Sequence, residues 1–408
     1  MDKKLQRRHL SNLFVFKRLR KFWLNLHLLL ALSVGFVFVI LGLSGSCNIF
    51  YYELNELWSP IVEQGNQVPR SLDDVIQTVK AANPQRTGSW AIVLPGYLSN
   101  YLWIDYPKPD ETKDELFAPL EILVNPYTGE IIEQHFWGKT ILSLIYELHA
   151  DFMMGKIGKE AGEIAFKVVC FFGVFLFISC LSGLYLWWPR TGNFKKALSI
   201  KPHASRERYY FDLHKTTGFY SSVLLLILAF TGFAFSYKDY ITPLVSVFSP
   251  IKKDHLKNPS VKSEVLDSVT PISIAKAVAI ADLVFPGAQL RGLNTPDGKE
   301  GVYMVAKRQV GEANRKRPRS KVWIDQYSGK VLAVQDPNQF TAGETFMNIL
   351  WPLHDGQILG LPGRILWCLV GFAPLILYVT GILRWLQKRR AAKKKLVKLT
   401  LHPKEIID

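Results

Sequence analysis

Four of the nine histidines recur at matching positions in two halves of the chain. Asn25-Leu26-His27 corresponds to Asp212-Leu213-His214, and Leu148-His149 corresponds to Leu353-His354. The other five histidines have no counterpart. An imidazole can bind a metal or carry a proton near neutral pH. Repetition of the same residue in the same register therefore indicates that these four positions carry the chemistry.

The four histidines flank or enter four long apolar runs. Residues 24–43, 168–188, 216–237 and 365–383 contain no charged side chain, and these runs are 20, 21, 22 and 19 residues long. A helix needs roughly 20 apolar residues to cross the hydrocarbon core of a bilayer. The sequence therefore predicts an α-helical membrane protein with transmembrane helices at 24–45, 164–188, 211–237 and 364–386. An ionisable residue near membrane depth is costly and usually functional, which strengthens the case for His27 and His214.

Charge is distributed unevenly between the segments that join these runs. Residues 1–23, 189–215 and 384–408 together hold 24 basic and 5 acidic side chains, whereas the rest of the chain holds 26 and 29. The positive-inside rule then makes both termini cytoplasmic, with a cytoplasmic N-terminus at 1–23, a loop at 189–210 and a tail at 387–408. Basic residues next to a membrane favour contact with anionic membrane lipid, and we expect no nucleic-acid partner.

The sequence contains an internal repeat that divides the chain into two related halves. Val124–Ile131 aligns with Ile324–Val331 at an offset of 200, and each half contains an outward helix, an outer segment and a returning helix. The outer segments, 46–163 and 238–363, are predicted to form two small α+β modules. Each module ends in a hairpin turn, Tyr127-Thr128-Gly129 or Tyr327-Ser328-Gly329, where glycine supplies a positive φ. The basic stretch 314–321 is predicted to be a solvated hairpin tip, with an anion site as the alternative.

A pseudo-twofold repeat places His27 opposite His214 near the inner surface, and His149 opposite His354 near the outer surface. Two facing imidazoles in an apolar helical bundle are the axial ligands of a six-coordinate b-type haem. The sequence therefore predicts two non-covalent b-type haems. The alternative is that the histidines hydrogen-bond neighbouring helices or lie in the headgroup layer.

Other residues bear on this prediction. Small residues could let a flat macrocycle approach the helices, or could simply allow close helix packing; they are Gly35, Gly45, Gly173, Gly183, Gly218, Gly232, Gly371 and Gly381. Basic residues at the inner surface could face haem propionates; they are Arg18, Arg20, Lys21, Arg208 and Lys215.

Several other cofactor chemistries lack their sequence signals. The four cysteines form no C-x-x-C, which leaves covalent haem attachment and cysteine zinc sites unsupported. No dinucleotide-binding or phosphate-binding glycine motif is present, so electrons would come from a quinol or a cytoplasmic reductase.

The four spans, the two outer modules with their Tyr-(Thr/Ser)-Gly turns and the four repeated histidines together resemble the PepSY-associated transmembrane proteins. This family includes inner-membrane ferric-siderophore reductases. The resemblance implies a multi-pass protein of the bacterial inner membrane with two PepSY-like periplasmic modules. It also implies two histidine-ligated b-type haems and an oxidoreductase that reduces a ferric siderophore, or another periplasmic electron acceptor, to release Fe(II). No catalytic residue is indicated.

Two alternatives remain open. PepSY-like modules resemble parts of protease propeptides, so the protein could bind or regulate a periplasmic protease or partner without being an enzyme. In that case the spans would be anchors and the histidines structural. A proton-coupled transporter using intramembrane histidine is the third interpretation, which large outer segments and only four spans suit poorly.

Overall fold

The computed structural model describes residues 3–62, 68–96, 99–189, 192–252, 256–266 and 269–401. The chain divides into two compact units. We call Met1–Ser46, Phe171–Phe233 and Leu366–Asp408 the helical unit, and Cys47–Cys170 with Ala234–Ile365 the sheet unit.

The described residues form helices of very different length. In chain order they are α1 (Lys3–Ser33), α2 (Gly35–Ile49), α3 (Tyr51–Glu56), α4 (Leu72–Ala82), α5 (Ile141–Asp151), α6 (Lys159–Trp187), α7 (Phe194–Leu198), α8 (Arg206–Ser236), α9 (Lys238–Ser246), α10 (Ile274–Val284), α11 (Ala342–His354), α12 (Gly360–Gly371) and α13 (Ala373–Leu401).

Several of these helices can cross a membrane. Among the described residues, α6, α8 and the stretch Gln357–Lys394, which contains α12, are long and apolar enough. A fourth span results if Lys17–Ser33 of α1 and Gly35–Ile49, which meet at a bend of 61°, count as one. In the most apolar part of α6 only 11% of the residues are buried by protein. Exposure of so much apolar surface to water would be unfavourable, so these helices are embedded in lipid.

Glycine and serine allow close helix packing inside the helical unit. A Cβ atom on Gly42 of α2 would collide with the carbonyl oxygen of Gly371 in α12. Ser46 Oγ, one turn further along α2, donates to Cys368 O at 2.9 Å. Likewise, a Cβ on Gly173 would collide with Ala229 O. For Gly173 and Gly371, the structure therefore favours the helix-packing alternative.

The sheet unit contains one eight-stranded antiparallel sheet with the order β4-β3-β2-β1-β5-β6-β7-β8. The strands are β1 (Ala91–Val93), β2 (Leu102–Tyr106), β3 (Leu120–Val124), β4 (Ile131–Phe136), β5 (Gln289–Asn294), β6 (Val302–Arg308), β7 (Ser320–Asp325) and β8 (Val331–Gln335).

The continuous sheet differs from the two separate modules that the sequence predicts. Each half does form its own four-stranded meander, but β1 and β5 pair with each other, with Ile92 opposite Leu293. The physical reason is that a lone meander would leave the first strand of each half with unpaired backbone groups. Pairing the two first strands satisfies both edges at once.

The halves share their local construction. Gly129 and Gly329 have φ values of 73° and 74°, as the turn sequences predict. Asn125 and Asp325 stabilise the two turns in the same way, since the side-chain Oδ1 of each accepts a hydrogen bond from the backbone N–H two residues later. The buried core of the sheet unit draws on both halves and includes Val75, Val79, Trp90, Ile104, Ile122, Ala277, Ala281, Val305 and Ile324.

Candidate functional site

His27 of α1 and His214 of α8 lie next to each other in the helical unit. Their ring centroids are 6.4 Å apart, and the ring planes are nearly perpendicular at 89°. Both side chains are half-buried. The structure thus brings together two of the four histidines that the repeat indicates.

A hydroxyl group lies beside Nδ1 of each ring. Ser182 Oγ is 2.9 Å from His27 Nδ1 and 3.0 Å from Ser179 O. When the hydroxyl gives its hydrogen to Ser179 O, its oxygen accepts from His27 Nδ1, and the lone pair of the ring is on Nε2. A metal-binding imidazole is normally oriented in this way, by a hydrogen bond from the nitrogen that does not bind the metal.

The second ring follows the same rule. His214 Nδ1 lies 3.0 Å from Thr380 Oγ1 and 3.1 Å from Leu377 O. A carbonyl can only accept, and Thr380 donates its hydroxyl hydrogen to Ile376 O at 2.6 Å. His214 is therefore protonated on Nδ1 as well, with its lone pair on Nε2.

The glycine after each hydroxyl residue lies beside the matching ring. A Cβ on Gly183 would lie 3.3 Å from His27 Cε1, and a Cβ on Gly381 would lie 3.4 Å from His214 Cε1. The sequence marks Gly183 and Gly381 as small residues, but it indicates no role for Ser182 and Thr380. Their role in orienting the rings was missed, although the shared register was the signal that could have revealed it.

Removal of these hydroxyls should weaken ligand binding at the pair. If this pair binds the haem that the sequence predicts, the double variant Ser182→Ala, Thr380→Val should bind it at least about tenfold more weakly, since outer-shell partners of metal ligands typically contribute that much. Transfer of haem to a soluble haem scavenger would measure the loss. Ser222→Ala is the matched control, because that buried serine bonds Phe219 O of its own helix. Equal haem loss from both proteins would contradict the orienting role.

Three of the five basic residues that the sequence offers as propionate partners already hold other groups. Arg208 Nε and Lys215 Nζ bind the carboxylate of the fully buried Asp212 at 3.0 Å and 2.9 Å. Arg20 donates to Leu186 O at 3.2 Å. The first two contacts lie within α8 and the third joins α1 to α6, so a structural role accounts for them without a bound anion.

His149 of α5 and His354 of α11 form the second pair, in the sheet unit. Their ring centroids are also 6.4 Å apart, with the planes inclined by 57°. The ring of Phe235 lies 4.9 Å from that of His354. Desolvation by the surrounding side chains, and then the neighbouring His149, lower the pKa of His354 to about 3. The His354 imidazole is therefore neutral near pH 7 and keeps a lone pair.

The chemistry of the four donors fits haem. Metal–imidazole nitrogen bonds are about 2 Å long, so two imidazoles on opposite sides of one metal have ring centroids about 6 Å apart. Both pairs match that separation. Within the described part of the chain, no group of three or more His, Cys, Asp or Glu side chains could hold a metal ion. The pairs therefore suit a metal that brings its own equatorial ligands.

The basic stretch 314–321 is not the solvated hairpin tip that the sequence predicts. Asn314 and Ser320 are buried, and the backbone N–H of Lys316 donates to Gln357 Oε1 at 3.1 Å. The Arg317 guanidinium lies 5.0 Å from the centroid of the Trp351 ring. Contacts from elsewhere in the sheet unit, which local sequence cannot reveal, hold this loop in place.

The lipid-embedded helices and the repeated histidine pairs define a multi-span membrane protein built from two related halves. The chain matches the family model described as "PepSY-associated TM region" over residues 24–388, and it belongs to that family. A comparison with curated proteins found no match to this chain.

Proposed function

We propose that the protein is a di-haem b electron carrier. It would pass electrons from the cytoplasm or from a membrane quinol to a periplasmic acceptor. The observation that best supports the proposal is that the four histidines form two similar pairs. Two repeat-related sets of imidazoles have the same centroid separation, 6.4 Å, in two different units of the chain. If the histidines had only a structural role, there would be no reason for both pairs to have the ring separation that a bound metal requires.

The chain's own residues would do the binding and tuning. His27 and His214 would offer Nε2 lone pairs, with Nδ1 of each ring hydrogen-bonded to Ser182 or Thr380. His149 and His354 would hold the second group. When bound, haem supplies reversible one-electron transfer at its iron, with a potential set by axial ligands, burial and nearby charge.

The proposed location is the bacterial inner membrane, with both termini in the cytoplasm. The excess of Lys and Arg in residues 1–23, 189–215 and 384–408 supports this orientation. The sheet unit would then be periplasmic, with its two meanders as PepSY-like modules. The electron donor would be a membrane quinol or a cytoplasmic reductase.

The proposed acceptor is iron held by a siderophore. One electron converts Fe(III) to Fe(II), which binds hard oxygen ligands more weakly, so the chelate releases the metal. The protein would therefore act as an oxidoreductase whose substrate is the ferric chelate. This part of the proposal rests on family resemblance.

A visible spectrum of the purified full chain tests the proposal. Protein made with ample haem supply should show sharp reduced α and Soret bands after dithionite treatment, at about two haems per chain. Reoxidation by a ferric siderophore would then identify the acceptor. A colourless protein would overturn the proposal and favour the non-enzymatic role of binding a periplasmic protease or partner.

A further inference from the structure

The loop at residues 314–319, which joins β6 to β7, lies against both flanks of His354. Arg317 covers the ring of Trp351, three residues before His354 on α11. The backbone N–H of Lys316 bonds the side chain of Gln357, three residues after His354. Two consecutive basic residues are therefore fixed beside a predicted haem ligand.

The same loop approaches the helix that carries His149. Burial raises the pKa of Tyr146, three residues before His149, and the positive charge of Arg317 opposes that rise. This opposition requires the guanidinium to be near Tyr146. Lys316 Nζ lies 4.4 Å from the centroid of the Tyr52 ring. The loop is thus close to both helices of the pair.

The side chain of Lys316 is half-buried, and it forms no ion pair with a carboxylate of the described residues. Within the described residues its Nζ has no hydrogen-bond acceptor and rests over an aromatic face. Desolvation, and then the charge of Arg317, lower the pKa of Lys316 to about 8. A cation that is partly removed from water in this way is costly unless an anion compensates it.

Neither of the two carboxylates that act on Lys316 fills that place, and the carboxyl of Asp105 acts on Arg317 instead. Glu53 forms a two-point ion pair with Arg364 at 2.5 Å and 2.8 Å. Asp355 accepts hydrogen bonds from the backbone N–H and side-chain amide of Gln357. Both carboxylates act on Lys316 only at longer range. Positive charge therefore exceeds negative charge at this point.

We propose that Lys316 and Arg317 form a carboxylate-binding site beside the His149/His354 pair. Arg317 is exposed, so a ligand can reach the site from solvent. An ammonium and a guanidinium can together bind a carboxylate, since hydrogen bonds between charged groups are stronger than those between neutral groups. The carboxylate belongs either to a propionate of haem held at this pair or to an incoming chelate such as ferric citrate. That choice of sources rests on the proposed function, whereas the site itself does not.

Two measurements on the purified full chain test the site. The first is equilibrium binding of gallium(III) citrate, a redox-inert stand-in for the ferric chelate. The second is the midpoint potential of each haem, followed by visible absorbance. The variants are Lys316→Met, which keeps the apolar stem on Tyr52, and Arg317→Gln. Lys330→Met is the matched control, because Lys330 is exposed in the turn between β7 and β8.

The two sources give different results. If the chelate supplies the carboxylate, each variant binds gallium citrate about tenfold more weakly, as expected for loss of one charged hydrogen bond. If haem supplies it, one midpoint potential falls in the variants while citrate affinity stays unchanged. Lys330→Met should alter neither quantity. Unchanged affinity and unchanged potentials in both variants would overturn the site.

A pH series on the unmodified chain gives an independent check. Above about pH 8 Lys316 loses its proton in the unliganded protein, so the affinity or potential that depends on it should fall as pH rises. The charges that face Lys316 are Arg317, Asp355, Arg364 and Glu53. Lys316→Arg should abolish this dependence because a guanidinium stays charged. A colourless chain that still binds gallium citrate through Lys316 would refute the electron-carrier proposal and keep the site.

Discussion

A His214→Ala variant is expected to bind one haem per chain, against the two that the proposed function assigns to the unmodified chain. The imidazole of His214 would be one of the two nitrogen donors that hold the haem of this pair, and alanine offers no substitute donor. The Nε2 lone pair that Thr380 and Leu377 O maintain disappears with the ring. The remaining haem should keep a low-spin spectrum, because His149 and His354 lie in the other unit of the chain. Pyridine haemochrome assay against protein concentration measures the ratio.

His203→Asn provides the matched control for that variant. His203 is exposed and has a φ of 56°, a left-handed conformation that asparagine tolerates. We expect it to retain both haems. A His214→Ala protein with two low-spin haems would refute the ligand assignment, whatever its activity. Loss of both haems would instead indicate that the two sites are coupled during assembly.

Gly42→Ala is expected to destabilise the helical unit by about 1–3 kcal/mol, since an added methyl in a tightly packed contact cannot be absorbed by a flexible side chain. The new Cβ would collide with a backbone carbonyl, that of Gly371, and would lie 3.2 Å from Pro374 Cγ. α2 and α12 would have to move apart, which also disrupts the Ser46–Cys368 hydrogen bond. Thermal denaturation in detergent, followed by size-exclusion chromatography, measures the effect.

Gly218→Ala should behave in the opposite way. Its Cβ would meet Leu377 Cδ2 at 3.5 Å, an ordinary contact, and alanine is the better helix former by about 1 kcal/mol. This variant is expected to be as stable as the unmodified chain or slightly more stable. Equal melting temperatures for Gly42→Ala and Gly218→Ala would show that the α2–α12 contact yields more easily than its geometry indicates.

Sequence alone predicted the structural features that depend on neighbouring residues or on a repeated pattern. Apolar runs of about 20 residues indicate membrane helices, because the length of hydrocarbon to be crossed is fixed. The glycines of the two Tyr-(Thr/Ser)-Gly turns adopt positive φ, since that conformation excludes most other residues. The repeat also predicted which histidines lie close together, and the rings are adjacent in both pairs. Haem ligation itself stays a prediction.

The features that sequence did not predict depend on contacts between distant segments. The β1–β5 pairing joins residues about 200 positions apart, and it is selected by free strand edges rather than by any local pattern. Ser182 and Thr380 look like ordinary small helix residues until the facing imidazoles are placed. Lys316 reads as a solvated charge because nothing near it in the sequence shows that Tyr52 and Gln357 will pack against it.

The junction at the centre of the sheet has a further consequence. β1 and β5 are the first strands of their respective halves, and they pair antiparallel. An antiparallel contact between equivalent strands is isologous, meaning that two identical chains related by a twofold axis could make the same contact. A half-length polypeptide with one meander and two membrane helices could therefore build the same eight-stranded sheet as a homodimer. Because the two halves are joined in one chain, their sequences can differ. The Lys316–Arg317 loop is therefore required in the second half only.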